Sequence, residues 1–186
     1  MRDSLKTVIK TGLVLAALIL VACLAPRANA QVHGDGQIVR NERIGPFRLG
    51  STAVDIIAVF GQPGRSWFFG DEGYLTWYDG LGTEPNNVVL FATTVGPRME
   101  VFMLSVGPAA RGYVTPEGVT VGMSELDVRL RLGNPTQRVW DDGLRMWWIF
   151  YPGMVLFTPF DGPVTQIDIC ERRYQHSGRG RGRWCY

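Results

Sequence analysis

The sequence predicts an α+β fold of two tandem modules, each a short helical segment packed on a four-stranded antiparallel sheet. Three observations carry this expectation. GSTAVDIIAVFGQP at residues 50–63 returns as GMSELDVRLRLGNP at residues 122–135, without a gap and at a constant offset of 72. VLFATTVGP at residues 89–97 returns as VLFTPFDGP at residues 155–163, at an offset of 66. The six lost residues fall in GLGTEPNN (80–87), a turn-rich stretch where a change of length costs little. Finally, each copy of the first motif is followed by short aromatic and β-branched runs separated by Gly, Asp, Asn and Pro, the pattern of antiparallel strands and turns. Self-similarity over so much of a chain marks a repeated supersecondary unit.

Residues 1–30 read as a signal peptide. Arg2, Lys6 and Lys10 make a positive start, Thr11–Ala25 is an apolar run too short for an ordinary membrane-spanning helix, and Ala28-Asn29-Ala30 has the small-x-small form of a cleavage site. Cleavage after Ala30 gives a periplasmic protein. Leu20-Val21-Ala22-Cys23 also has the form of a bacterial lipobox, which would lipidate Cys23 and give an outer-membrane lipoprotein. Pro26 and the bulky Leu24 favour plain cleavage, and both readings stay open. Removing this segment also removes both lysines, so every remaining basic residue except the histidines is arginine.

After a flexible N-terminal segment at 31–43, the two modules are expected at 44–107 and 108–171. Thr52 and Ser124 are good helix N-caps, and Asp55 and Asp127, three residues on, can bond back to the cap and favour the positive helix end. Val54, Ile57 and Ala58, and Leu126, Val128, Leu130 and Leu132, supply apolar positions; Gly61 and Gly133, each followed by proline two residues later, stop the helices. Helices this short need something to pack on. The strands follow as RSWFF, YLTWY, VVLFATT and MEVFML, then TQRVW, LRMWWIFY, MVLFT and VTQIDI.

Strand side chains alternate between faces, so positions that agree in both copies should point the same way. On that test Val101/Ile167, Met103/Ile169, Leu75/Met146 and Trp77/Trp148 face inward. Tyr74/Arg145, Thr76/Trp147, Tyr78/Ile149 and Phe102/Asp168 face outward, and so do Ser66/Arg138 and Phe68/Trp140 if Trp67/Val139 is buried. The expected protein-binding surface is therefore Phe68, Tyr74, Tyr78, Phe102, Trp140, Arg145 and Trp147, since aromatic and arginine residues are the usual hot spots of interfaces. The two sheets either pack together or run side by side into one surface.

Catalytic motifs are absent. The two histidines, His33 and His176, lie outside the repeats without a second ligand at metal-site spacing, and no GxSxG, HExxH, P-loop or Rossmann fingerprint occurs. Asp71-Glu72 and Asp141-Asp142 adjoin glycines between strands and read as turns. No catalytic, cofactor or metal site is expected. Cys170 and Cys185 form an even pair in an oxidising compartment and read as a disulfide. Closing that loop stabilises by roughly 3 kcal/mol in the chain-entropy model. The Arg/Gly-rich tail at 172–186 suits contact with anionic lipid or an acidic protein surface; export argues against nucleic acid.

The phrase VGMSELDVRLRLGNPTQ, with its capped helix, Gly133 and Pro135, resembles the module of the BamE-like (SmpA/OmlA) outer-membrane lipoproteins. Gly122, Ser124, Val128 and Leu132 carry the rest of that likeness, echoed at Gly50, Thr52, Ile56, Phe60, Gly61 and Pro63. The tandem arrangement is similar to the β-lactamase inhibitor protein fold. Together they cover about residues 45–170. BamE-like proteins have one module and a lipidated cysteine, and the inhibitor has a disulfide inside each module, so no contact residue carries over from either. The resemblance implies a non-catalytic binding role in the envelope, in outer-membrane assembly or maintenance, with an envelope or secreted protein as partner. Inhibition of a secreted hydrolase such as a β-lactamase is the alternative, and an enzyme with an unrecognised carboxylate site comes third. Membrane contact would come only through a lipid anchor.

Overall fold

The computed structural model describes residues 34–80 and 83–171. The signal peptide, Cys23 and the tail with Cys185 lie outside them.

The described residues form eleven strands and two eight-residue α-helices. A small sheet comes first, β1 (Ile38–Val39), β2 (Arg43–Ile44) and β3 (Phe47–Arg48). Helix α1 (Ala53–Phe60) leads into β4 (Arg65–Phe69), β5 (Glu72–Tyr78), β6 (Val88–Val95) and β7 (Glu100–Val106). Helix α2 (Glu125–Leu132) leads into β8 (Gln137–Asp141), β9 (Met146–Tyr151), β10 (Met154–Pro159) and β11 (Gln166–Cys170). These eight strands make one antiparallel sheet in the order β4-β5-β6-β7-β11-β10-β9-β8.

This order overturns the expected pair of tandem α+β modules. The fold is mainly β, and its centre is the antiparallel pairing of β7 with β11, where Leu104 lies opposite Ile169 and Ser105 opposite Asp168. The duplicated sequence persists as a palindromic strand order. One core cluster then runs from Leu75, Trp77 and Leu90 through Leu104 and Val106 to Ile149, Leu156 and Ile167. Two separate sheets would leave β7 and β11 as free edges, each with a row of unpaired backbone groups; joining them satisfies both. Residues 34–43, read as a flexible lead-in, contribute Ile38 and the strand β1, tied by Ile38 N–H to the Val114 carbonyl at 2.8 Å. Arg43 grips Asp35 through two hydrogen bonds of 2.7 and 2.8 Å and holds that carboxyl well below its usual range.

Both helices and the small sheet cover the same face of the large sheet. Asp55 accepts hydrogen bonds from the Thr52 backbone and hydroxyl at 2.7 and 2.8 Å; Ser124 accepts from the Asp127 N–H at 3.1 Å and donates to its carboxylate at 2.6 Å. Each helix ends at a glycine with positive φ, Gly61 at 82° and Gly133 at 78°, a backbone state that glycine adopts without a Cβ clash. The carbonyl freed at each end is met by an aromatic side chain from the sheet, Trp77 Nε1 to Gly61 at 2.9 Å and Tyr151 Oη to Gly133 at 3.1 Å. A second device also repeats. Gly50 and Val101 are joined to their neighbours by the Gly50 N–H to Val101 and Val101 N–H to Ser51 bonds, and Gly122, Val164 and Met123 make the same pair.

The buried helix positions differ from the expected ones. Ala53, Ile56 and Val128 are buried, with Ile57, Phe60 and Leu132 packed partly against the core, whereas Val54, Leu126 and Leu130 are exposed. Fully burying one Ile or Leu contributes about 1.5–3 kcal/mol. Helices this short are therefore stabilised by the sheet rather than by their own hydrogen bonds.

Candidate protein-binding edge

The two ends of the large sheet are β4 and β8, and among the described residues no strand pairs with the outer side of either. At offset 72 they are equivalent, Arg65-Ser66-Trp67-Phe68-Phe69 against Gln137-Arg138-Val139-Trp140-Asp141. Every residue of β4 is exposed, including Trp67, Phe68 and Phe69 at 42%, 60% and 69%. Long apolar edges template pairing with other chains, and proteins commonly guard them with charge. β8 has that guard, with Asp141 at its end and Arg138 ion-paired to Glu125 at 3.1 Å. The only charge on β4 is Arg65, whose guanidinium lies over the Trp67 ring at 5.3 Å.

Neighbouring strands hold the β4 rings in place. Trp67 stacks on Tyr74 with centroids 5.1 Å apart and planes 7° apart, and Phe91 closes the group at 6.1 and 6.3 Å. The Tyr74 hydroxyl donates to Glu72. Phe68 points to the other face and lies against Gly73, where a Cβ would stand 3.0 Å from its ring and 2.5 Å from Thr94 Oγ1. Glycine at 73 thus makes room for the ring. The edge presents Trp67 on the helix-free face and Phe68 on the helix face, with a five-residue run of backbone between.

The seven residues expected to form the binding surface do not come together. Phe68, Trp140 and Trp147 lie on the helix face, the first at one end of the sheet and the others at the opposite end. Tyr74 lies on the helix-free face. Tyr78 ends β5 beside a bulge, with its ring against Gly64. Phe102 sits at a bulge in β7, packed against Met103 and Cys170. Arg145 lies on neither face but in the β8–β9 turn, with φ of 54°. Trp147 has Arg138 over its ring at 3.5 Å and Trp140 at 5.1 Å, while Trp140 also meets Phe160 at 5.9 Å.

Five residues expected to face inward do not. Met146 and Trp148 lie on the helix-free face with Phe150, Val155 and Phe157, while Trp147 and Ile149 face the helices. The true equivalents keep the offset of 72, Leu75 with Trp147 and Trp77 with Ile149; pairing at 71 slips by one residue and inverts the whole strand. Met103 is turned to the helix-free face, since Phe102 is the extra residue of a β-bulge. Trp67 and Val139 are 42% and 40% exposed on the helix-free face. Trp67 and Phe69 were missed because the sequence of a strand does not say whether it ends the sheet.

The carboxylates read as turn residues have local partners. Asp141 accepts from the Leu144 N–H at 2.9 Å, Asp142 from Trp140 Nε1 at 2.7 Å and Glu72 from the Tyr74 hydroxyl, while Asp71 is held through its backbone carbonyl, which accepts from the Gly96 N–H. A depression of about 370 Å³ beside them is lined by Val139, Trp148 and Phe150. Asp168 is different. It is buried on the helix-free face between β7 and β10, and burial pushes its carboxyl up to about 7 against the lowering hydrogen bond from Gln166 at 2.8 Å. Cys170, expected in a disulfide, is buried and disulfide-bonded.

No family model matches this chain, and no curated protein does. Among solved structures it is similar to a DUF4309 family protein (YjgB) of Bacillus subtilis, at 13% identity and a TM-score of 0.47, over 78% of this chain and 99% of that one. It is also similar to a cysteine-rich secretory protein of Staphylococcus aureus, at 14% identity and a TM-score of 0.47, over 79% of this chain and 50% of that one. Neither likeness carries a functional assignment.

Proposed function

We propose that the mature chain is an exported, non-catalytic protein-binding module of the cell envelope that recognises its partner through the β4 edge. The observation that carries this reading is the exposure of Trp67, Phe68 and Phe69 together on a terminal strand. A partner segment in extended form adds to such an edge by main-chain hydrogen bonds, and side chains on alternate faces supply specificity. Trp67 with Arg65 and Tyr74 forms one contact surface, and Phe68 over Gly73 forms the other. Stacked, pre-set rings lose little freedom on binding, which favours affinity. The signal sequence supports the exported location, and the lack of a recognised catalytic motif supports a binding role.

Recovery of partners from an envelope extract tests this reading. The mature protein should retain a defined partner, and Phe68→Asp or Trp67→Asp should lose at least nine-tenths of it while keeping a wild-type circular dichroism spectrum. The matched change on the other edge, Val139→Asp, should leave recovery intact. Equal loss from both edges, or none from β4, would sink the proposal.

A further inference from the structure

The β4 edge is exposed along its whole length, and Arg65 is its only charge. Among the described residues no strand lies on its outer side. An edge of that kind templates pairing with an extended segment. In a solution of the protein alone, the segment at hand is the same strand of another copy.

We propose that β4 pairs antiparallel with β4 of a second copy, about a two-fold axis at Trp67, and so forms a reversible dimer while no other partner occupies the edge. Centred there, all five residues of the strand find a mate: Trp67 meets Trp67, Ser66 meets Phe68 and Arg65 meets Phe69 of the second copy. Directly opposed residues share a face. The two Trp67 rings therefore meet on the helix-free face, and the two Phe68 rings become diagonal neighbours on the helix face, within aromatic reach. All three rings are open to such contact, at 42%, 60% and 69% exposure.

Charge favours the same arrangement. Antiparallel pairing sets the two Arg65 side chains about 14 Å apart along the strands, beyond the screening length of about 8 Å in physiological salt. A parallel pair would place them side by side. Each guanidinium instead lies by the Phe69 ring of the second copy, where a cation is attracted to the ring face. Its diagonal neighbour is then Asp71 of that copy, exposed in the β4–β5 turn.

The assembly also closes. A two-fold contact through β4 leaves β8 at both outer ends, where Asp141 and the Arg138–Glu125 pair guard the edge, so growth stops at two copies. The chain already makes one such junction, since β7 and β11, equivalent strands of its two halves, join antiparallel. The three rings leave roughly 350 Å² open per copy. Pairing covers about 700 Å² of ring surface, below the ~1,200 Å² of a stable complex. The dimer is therefore weak, and another extended partner competes for the same edge. This inference rests on the β4 edge of the partner-binding reading and adds a resting state in which that edge is closed.

Sedimentation velocity of the mature protein, residues 31–186, from about 5 μM to about 1 mM tests the dimer. The mass should rise from one chain to two and stop there. Phe68→Asp should hold it at one chain, and Val139→Asp, on the far edge, should leave the rise unchanged, each with a wild-type circular dichroism spectrum. Arg65→Asp and Asp71→Arg should each weaken the dimer several-fold. The double variant Arg65→Asp/Asp71→Arg restores opposite charges between the copies and should recover most of the loss. One chain at every concentration, growth beyond two, a dimer that survives Phe68→Asp, or no recovery in the double variant would each overturn the proposal. One chain throughout, with a partner still recovered from envelope extract, would overturn this inference and leave the partner reading standing; a dimer with no partner recovered would do the reverse.

Discussion

The two ends of the sheet occupy equivalent places in a duplicated chain and have opposite surface chemistry. β8 carries Arg138, tied to Glu125, and Asp141, and its tryptophan is turned to the helix face beside Trp147. β4 carries three exposed aromatics, one of which, Phe69, stands where β8 has its aspartate. The equivalent strand shows that this fold can close its sheet with a guarded edge. The apolar one is therefore a feature of the first half alone, and the duplication supplies the internal control for assigning it a role.

Changes at the centre should leave that difference intact while weakening both halves together. Leu104→Ala opens a cavity in the core shared across the β7–β11 pairing and should cost about 2–5 kcal/mol. Denaturation followed by tryptophans of both halves should show one shifted transition. Two transitions, only one of them shifted, would mean that the halves fold apart and would break the comparison.

Asp168, beside the same seam, gives stability a pH dependence. Its carboxyl titrates near 3.8 in the unfolded chain and at about 7 when folded. The folded value is the higher, so its contribution is complete below about pH 4, falls as pH rises, and is lost above 7. The span is up to about 4 kcal/mol. Denaturation should therefore be easier at pH 8 than at pH 5, and Asp168→Asn should flatten that slope. The lowered carboxyls of Asp35 and Asp55 act in the opposite sense, losing stability below about pH 4, outside this window. An unchanged slope in the Asn variant would remove Asp168 from the account.

The two edges can also be perturbed one at a time. Gly73→Ala places a methyl 2.5 Å from Thr94 Oγ1 and 3.0 Å from the Phe68 ring, and should cost about 1–3 kcal/mol while displacing Phe68. Arg138→Ala removes the cation from the Trp147 ring and an exposed ion pair, worth about 0.5–1 kcal/mol. Its effect should be confined to β8 and β9, as read by amide exchange. Loss of protection in β4 would show that the edges are coupled.

Much of this framework was legible in the sequence, and what was not follows from a few identifiable residues. Thr52, Asp55, Ser124 and Asp127 announced the helix starts, and Gly61 and Gly133 their ends, since capping is local chemistry. The strand segments were equally plain. Pairing of β7 with β11 was hidden, because nothing in MEVFML or QIDIC distinguishes the edge of a four-stranded sheet from the middle of an eight-stranded one. Face assignment failed in β9 from a slip of one residue in the repeat alignment, and at Met103 from the bulge at Phe102. Burial of the Trp67/Val139 pair was the condition for the faces of the first strand, and the end of a sheet leaves both residues exposed.

The claim that recognition belongs to β4 is tested most directly by a matched pair of photo-crosslinkers, one in place of Phe68 and one in place of its equivalent Trp140, in the full-length protein produced in cells. The account predicts a discrete protein adduct from position 68 and none from position 140. Adducts from position 140 alone, from both positions equally, or from neither would contradict it.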